Sequence, residues 1–142
     1  MLDYYQLLDN EKETKESRKT KKELKTIMQS AISFLIENNQ YYEDKDGLCF
    51  YYSRIDKHKA ISGNAIAAAL LIRYGTYFKD RKLLDIGKKA ILFILNHQEK
   101  DGSWKYIVDA DPSKENKVDN RHTGYIIEAL TIAHQTLIQN SS

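Results

Sequence analysis

The fold is decided by residues 90–130, which read AILFILNHQEKDGSWKYIVDADPSKENKVDNRHTGYIIEAL. The stretch begins with an apolar run at helical spacing and continues into a polar connection that contains the turn signal Asp101-Gly102. A second apolar run at helical spacing follows Gly124. Two amphipathic helices joined by a polar loop form a hairpin, so the sequence predicts an all-α fold.

An earlier part of the chain repeats this pattern. Asp46-Gly47 corresponds to Asp101-Gly102, and Ala69-Leu70 corresponds to Ala129-Leu130, about 55 to 60 positions later. The chain is therefore predicted to hold two helical hairpins, with about four main helices and long polar loops. The helices are expected over residues 20–39, 62–77, 80–97 and 121–139, with Thr20, Ser62 or Asn64, and Asp80 as caps of the first three. The first helix is expected to bury one stripe, Leu24, Ile27, Met28, Ala31, Phe34 and Leu35.

Length and composition are typical of one globular domain. The 142 residues carry 22 Lys and Arg against 20 Asp and Glu, a balance that does not favour nucleic acid as a partner. The longest apolar run, residues 65–72, is too short to span a bilayer, no secretory signal is visible, and a lone Cys49 fits a reducing compartment. We expect a cytoplasmic protein in which residues 1–19 form an aromatic and mixed-charge lead-in to a domain over residues 20–142.

Two hairpins cannot cover all of their own apolar surface. Hairpins of this kind stack side by side until a solenoid or a closed ring is complete. The sequence therefore predicts that the chain is part of a longer ring, or that self-association or a partner chain completes it.

Two motifs resemble those of a known superfamily. Gln98, Gly102 and Trp104 form the pattern Q-x-x-x-G-x-W, which resembles the QW repeat of the terpenoid cyclases and protein prenyltransferases, the α/α toroids. Residues 119–125, DNRHTGY, resemble a segment of prenyltransferase-like proteins from bacterial surface-polysaccharide gene clusters. The resemblance covers residues 31–133 and implies two hairpin repeats of an incomplete α/α toroid, a truncated copy of the family's ring.

One end of such a stack is where a site can be assembled. The loops that precede the second and fourth helices should be neighbours there, because the inner helices of a toroid begin at the same end. The candidate catalytic residues at this end are His122, Tyr125 and Asp119. The candidate substrate-binding residues are Tyr51, Tyr52, Arg54, Asn64, Trp104, Tyr106 and Arg121.

His122 is the first choice for chemistry. It lies at a helix N-terminus, whose positive end favours the neutral imidazole that a general base needs. The alternative is a histidine that only fixes its loop by bonding a backbone carbonyl. Trp104 also has two possible roles. Its indole can pack between adjacent hairpins, or it can stack on a ligand.

The aromatic, Arg, His and Asp residues at this end predict a carbohydrate or other small-molecule substrate. An acidic surface polysaccharide or oligosaccharide fits them well. Aromatic rings stack on sugar faces, and Arg121 or Arg54 would pair with a uronate carboxylate. No cofactor or metal is expected, because prenyltransferase zinc needs Asp, Cys and His ligands and Cys49 is far from His122 in sequence.

Two alternatives stay open. The first is an isoprenoid or terpenoid enzyme fragment, since Asp109-Ala110-Asp111 is similar to the acidic motif of class II terpene cyclases, with Pro112 in the next position. The second is a non-catalytic interaction module. Whether the chain is an enzyme is left undecided by the sequence.

Overall fold

The computed structural model describes residues 1–10, 14–38, 40–111 and 116–139. Pro112, residues 11–13 of the expected lead-in and the tail at 140–142 lie outside the described residues. The chain is mostly helical, about 65%, and a small two-stranded sheet accompanies the helices. The predicted helical character is therefore confirmed at that level. The chain divides into two compact units, Met1–Asn38 and Asn39–Ser142, and the predicted boundary at residue 20 stays a prediction.

The first unit contains two helices and a π-helical segment. These are α1 (Leu2–Asn10), α2 (Lys15–Ser33) and the π-helical segment Phe34–Asn38. The predicted cap at Thr20 is wrong, because α2 begins one and a half turns earlier. Its N-cap is Thr14, which forms a capping box with Ser17: the Thr14 hydroxyl accepts from the Ser17 amide at 3.0 Å, and the Ser17 hydroxyl accepts from the Thr14 amide at 2.8 Å.

The buried stripe of α2 differs from the predicted one. Met28 and Ile32 are buried, whereas Ile27, Ala31 and Phe34 are exposed. The predicted stripe mixed positions from two adjacent rows of the helix surface, because both rows carry apolar residues at helical spacing. The buried row of α2 is the one that contains Met28 and Ile32, which are four residues apart.

The second unit places one helix at the centre of the others. Its elements are β1 (Tyr41–Asp44), β2 (Gly47–Phe50), α3 (Ile61–Tyr77), α4 (Arg81–Asn96) and α5 (Asn120–Gln139). Helix α3 packs against both α4 and α5, and the antiparallel hairpin β1–β2 packs against α4. None of the helices in the described residues combines the length and the apolar character that crossing a bilayer requires.

Small residues on α3 allow this close packing. Ala65 and Ala68 have no solvent exposure, and a Cβ at Gly87 of α4 would lie 3.2 Å from the Ala68 carbonyl and 2.8 Å from Ile72 Cγ1. The helices α3 and α4 therefore approach at a point where only glycine fits. The turn between them ends at Asp80, the predicted cap of α4, whose carboxylate accepts from the Leu83 amide at 3.1 Å.

The start of α3 corrects a sequence prediction. Neither Ser62 nor Asn64 caps the helix, because it begins at Ile61 after Ala60, which makes no side-chain cap. The Ile61 amide donates instead to the backbone carbonyl of Tyr106 at 3.1 Å. A residue 45 positions away in sequence thus satisfies the helix end.

The two Asp-Gly turns form as predicted. Gly47 and Gly102 both have positive φ, at 124° and 87°, which glycine adopts without steric cost. In the second turn, the Gln98 amide donates to the Gly102 carbonyl at 2.9 Å, and the Trp104 indole N–H donates to the Ile94 carbonyl at 2.9 Å. Trp104 therefore bonds a backbone carbonyl in the last turn of α4, whereas Gln98 bonds a carbonyl within the loop that follows the helix.

Candidate functional site

The loops that precede α3 and α5 lie side by side. Ala60 and Ile107 form an antiparallel bridge, and the Val108 amide donates to the Lys59 carbonyl at 3.1 Å. The Lys59 ammonium also lies 3.3 Å from the Asp109 carboxylate. Since Tyr106 contacts the start of both helices, α3 and α5 begin at the same end of this unit. The two loops are neighbours, as the sequence predicted.

A cleft of about 290 Å³ opens at this end. Its size is near the lower limit of small-molecule sites, about 300 to 1,000 Å³, and suits one sugar-sized group. Asn116 holds its wall, because its side chain accepts from the Ile107 amide at 3.1 Å and donates to the Ile107 carbonyl. The cleft is lined by His58, Tyr106, Ile107, Ala110, Asp111, Asn116, Lys117 and Asp119.

Asp119 and His122 form a pair at the first turn of α5. One Asp119 oxygen accepts from the His122 amide at 2.8 Å, which is the bond of an N-cap, and the other contacts His122 Nδ1. The hydrogen bond from the His122 amide lowers the pKa of the Asp119 carboxyl most, and the contact with the His122 imidazole lowers it further. An ionised carboxylate only accepts, so Nδ1 carries the hydrogen and Nε2 is left to exchange a proton or to bind a ligand.

Tyr106 is the aromatic wall of the cleft. Its ring centroid lies 4.3 Å from that of His122, with the planes inclined by 45°. Burial raises the pKa of the Tyr106 phenol, and Tyr52, Asp119 and Asp56 raise it further, in that order. The phenol therefore keeps its proton at neutral and moderately alkaline pH and can donate a hydrogen bond to a ligand.

A second Asp–His pair lies in the other loop, outside the candidate site residues predicted from the sequence. His58 lines the cleft, its Nδ1 contacts the Asp56 carboxylate, and its amide donates to the same carboxylate at 3.0 Å. The His58 amide and imidazole lower the pKa of the Asp56 carboxyl. The signal that could have found this pair is Asp-x-His in a loop that mirrors Asp-x-x-His before α5.

Arg121 and Tyr125 form their own contact on α5. The Arg121 Nε donates to the Tyr125 hydroxyl at 3.2 Å, and its guanidinium carbon lies 6.0 Å from the centroid of the Tyr125 ring. The Tyr125 ring is edge-on to His122 at 6.3 Å. Both residues therefore lie beside His122, and all three lie outside the cleft lining, which His122 reaches through its contacts with Tyr106 and Asp119.

The remaining loop candidates lie on or near the rim. The Tyr52 amide donates to the His58 carbonyl at 2.9 Å, and its exposed side chain is close enough to affect the Tyr106 phenol. The Tyr51 ring lies under the Lys57 ammonium at 4.9 Å, and Arg54 is exposed. The Tyr52 side chain is therefore tied electrostatically to the cleft.

Two predicted substrate-binding residues are buried away from the cleft lining. Asn64 is 1% exposed and makes three internal hydrogen bonds, to the Phe50 amide and to the carbonyls of Leu48 and Ala90. Trp104 is 6% exposed, and its indole N–H is used by the Ile94 carbonyl. The contacts of both side chains are internal to the fold.

No cluster of three or more His, Cys, Asp or Glu side chains is placed to hold a metal ion in the parts of the chain that the structure describes. Cys49 has no solvent exposure, and burial raises the pKa of its thiol to about 12. Cys49 is therefore a buried packing residue of β2.

Comparisons with protein-family models, curated proteins and solved structures give no match to this chain.

Proposed function

We propose that the chain is an α/α-toroid segment that binds acidic carbohydrate in the cleft beside Tyr106. The observation that carries the proposal is the Tyr106 ring against His122, whose Nδ1 is fixed by Asp119 at the cleft. An aromatic face, a donor phenol and an oriented imidazole are groups that bind a sugar ring and its substituents. Lys117 adds a cation to the lining, which suits a carboxylate.

The toroid part of the proposal is supported by helix order. Helices α3 and α5 begin at the same end, and α3 packs against both α4 and α5, as the inner helices of stacked hairpins do. The duplicated Asp-Gly turns, with glycines at positive φ, support a repeated unit. The cytoplasmic location expected from the sequence stays part of the proposal.

The same site can carry out proton transfer. A neutral His122 would accept at Nε2 a proton from a sugar carbon next to a carboxylate, and the electron pair of the broken C–H bond would be delocalised into that carboxylate. The Tyr106 phenol would donate a hydrogen bond to a sugar oxygen. Binding and turnover then have opposite pH signatures. A protonated imidazole strengthens the binding of an acidic sugar as pH falls, whereas a base works better as pH rises.

Titration calorimetry with trigalacturonate tests the proposal, with a neutral glucose trimer as the control ligand. We expect the acidic trimer alone to bind. The variant H122Q should weaken binding about tenfold, because it loses a charge-assisted hydrogen bond. H134Q is the matched control: His134 is an exposed histidine of α5 about 18 Å along the helix from residue 122. Equal affinity for both trimers, or no binding of either, would overturn the proposal.

An interaction module is the second candidate function. Apolar side chains on both helices that begin at the cleft are exposed, since Ile66 of α3 is 53% and Ile127 of α5 is 54% exposed. Sedimentation over a range of concentrations, with I66E/I127E as the comparison, tests it. A self-association that the double variant abolishes would favour this candidate. The isoprenoid alternative is less favoured, because the cleft lining includes the charged residues Asp111, Lys117 and Asp119.

A further inference from the structure

The two loops at the cleft carry equivalent side-chain pairs. In each pair an aspartate accepts from the backbone amide of its histidine and also contacts the Nδ1 of that histidine. The pairs are Asp56–His58 before α3 and Asp119–His122 before α5. In each, the carboxylate fixes the hydrogen on Nδ1, so the free nitrogen is Nε2.

The pairs flank one aromatic residue. His58 and Asp119 both line the cleft together with Tyr106, and the ring of His122, which lies just outside the lining, is tilted against the Tyr106 ring at 4.3 Å. The carboxylates of Asp56 and Asp119 both act on the Tyr106 phenol and raise its pKa. Tyr106 therefore lies between the pairs, within electrostatic range of each. The imidazoles are also accessible, with side chains 51% exposed at His58 and 33% exposed at His122.

We propose, resting on the carbohydrate-binding function above, that Asp56–His58 forms the second wall of a two-imidazole site for a sugar carboxylate. The carboxylate is bound by Nε2–H donors from both histidines, so binding is linked to proton uptake by His58 as well as by His122. A ligand that binds the charged imidazoles must shift both toward the protonated form.

The surrounding groups do not mask this linkage. Among the described residues, the charged and titratable neighbours of the two histidines include Tyr52, Asp56, Tyr106, Asp111, Lys117, Asp119, Arg121 and Tyr125. Asp56 and Asp119 have lowered pKa values and stay ionised between about pH 5 and 8, and Arg121, whose pKa is raised, stays charged. Burial raises the pKa of the Tyr106 phenol, so that phenol stays neutral in the same window.

Calorimetric titration in buffers of different ionisation enthalpy counts the protons that bind with the ligand. The probe is trigalacturonate at about pH 6.5, and the proteins are wild type, H58Q, H122Q and the control H134Q. We expect H58Q to bind about tenfold more weakly and to take up about half of the protons that wild type does. H122Q should behave in the same way, and H134Q should match wild type.

The outcomes separate this inference from the proposed function. Wild-type proton uptake and affinity in H58Q, with both reduced in H122Q, would overturn the second wall and leave the carbohydrate site in place. No trigalacturonate binding by wild type would overturn both. A long-range proton–nitrogen spectrum showing a hydrogen on His58 Nδ1 in wild type and its loss in D56N gives a readout that a general loss of stability would not produce. Retention of that hydrogen in D56N would count against the pair.

Discussion

The backbone amide of Phe50 donates to Oδ1 of Asn64 at 3.1 Å. Asn64 is in the first turn of α3, and Phe50 is the last residue of β2. The Asn64 amide nitrogen donates to the Leu48 carbonyl at 3.0 Å and to the Ala90 carbonyl of α4 at 3.2 Å. One buried side chain thus joins β2, α3 and α4 at the place from which the loop of residues 51–59 leaves toward the cleft.

Replacing Asn64 by Ala should therefore destabilise the second unit strongly. The change leaves the Phe50 amide and the carbonyls of Leu48 and Ala90 without their partner in a buried place, and we expect the free energy of unfolding to fall by about 3 kcal/mol. Urea denaturation measures it. The control N96A removes one exposed hydrogen bond, to the Asp46 carbonyl at 3.0 Å, and should cost less than about 1 kcal/mol. Equal losses in N64A and N96A would contradict the joining role.

Gly47 should tolerate no side chain. A Cβ there would lie 2.5 Å from both the Lys89 carbonyl oxygen and the Phe93 amide nitrogen, and φ is 124°. We expect G47A to lower the free energy of unfolding by more than about 2 kcal/mol, through strain and a displaced β-hairpin. Thermal unfolding measures this loss.

Two other glycines provide graded controls for G47A. G102A has the positive φ but no backbone atom in the way, so its loss should be smaller, about 1 kcal/mol. G63A lies in a helix with open space around it and should stabilise the protein by about 0.5 to 1 kcal/mol. A different order of the three variants would show that α4 does not hold the turn as closely as the distances indicate.

Several features that depend on local chemistry were predicted correctly, although the N-cap of α2 was not among them. The helices α4 and α5, the Asp80 cap and both Asp-Gly turns follow from side-chain spacing and backbone preference, which neighbouring residues determine. The start of α3 could not be predicted in this way. Its first amide is capped by the backbone carbonyl of Tyr106. Every residue has a backbone carbonyl, so the sequence does not show which one will cap the helix.

The candidate site shows the same division. The sequence indicated that the two loops would meet and that His122 would lie at a helix N-terminus, because repeat order and capping patterns are visible in a sequence. It could not show that Asn64 and Trp104 are used inside the fold, since an amide and an indole serve a core and a ligand equally well. His58 was not chosen as a site residue, because Asp-x-His in this loop matches no recognised motif.

Cys49 should be unreactive in the native protein. The thiol is fully buried, and with a pKa of about 12 almost none of it is thiolate at neutral pH. A thiol-specific reagent should therefore label Cys49 only when β2 opens, and labelling should become rapid in denaturant. N64A should speed labelling in the absence of denaturant, because it frees the strand that carries Cys49. Rapid labelling of the wild-type protein in native buffer would contradict the packing of β2.

Asp119 should give the protein a pH dependence at low pH. Its folded-state pKa is lowered by the His122 amide and imidazole, so its stabilising contribution is fully present above the unfolded-state value of about 4. It is lost as pH falls through the lower folded-state value, since protonation removes the charge that both bonds favour. D119N cannot ionise, and its stability should change less than that of wild type between about pH 7 and pH 3. Urea midpoints at several pH values measure the difference, and D85N, which removes an exposed carboxylate of α4, should keep the wild-type slope. The same slope in D119N as in wild type would mean that His122 does not hold the Asp119 carboxylate.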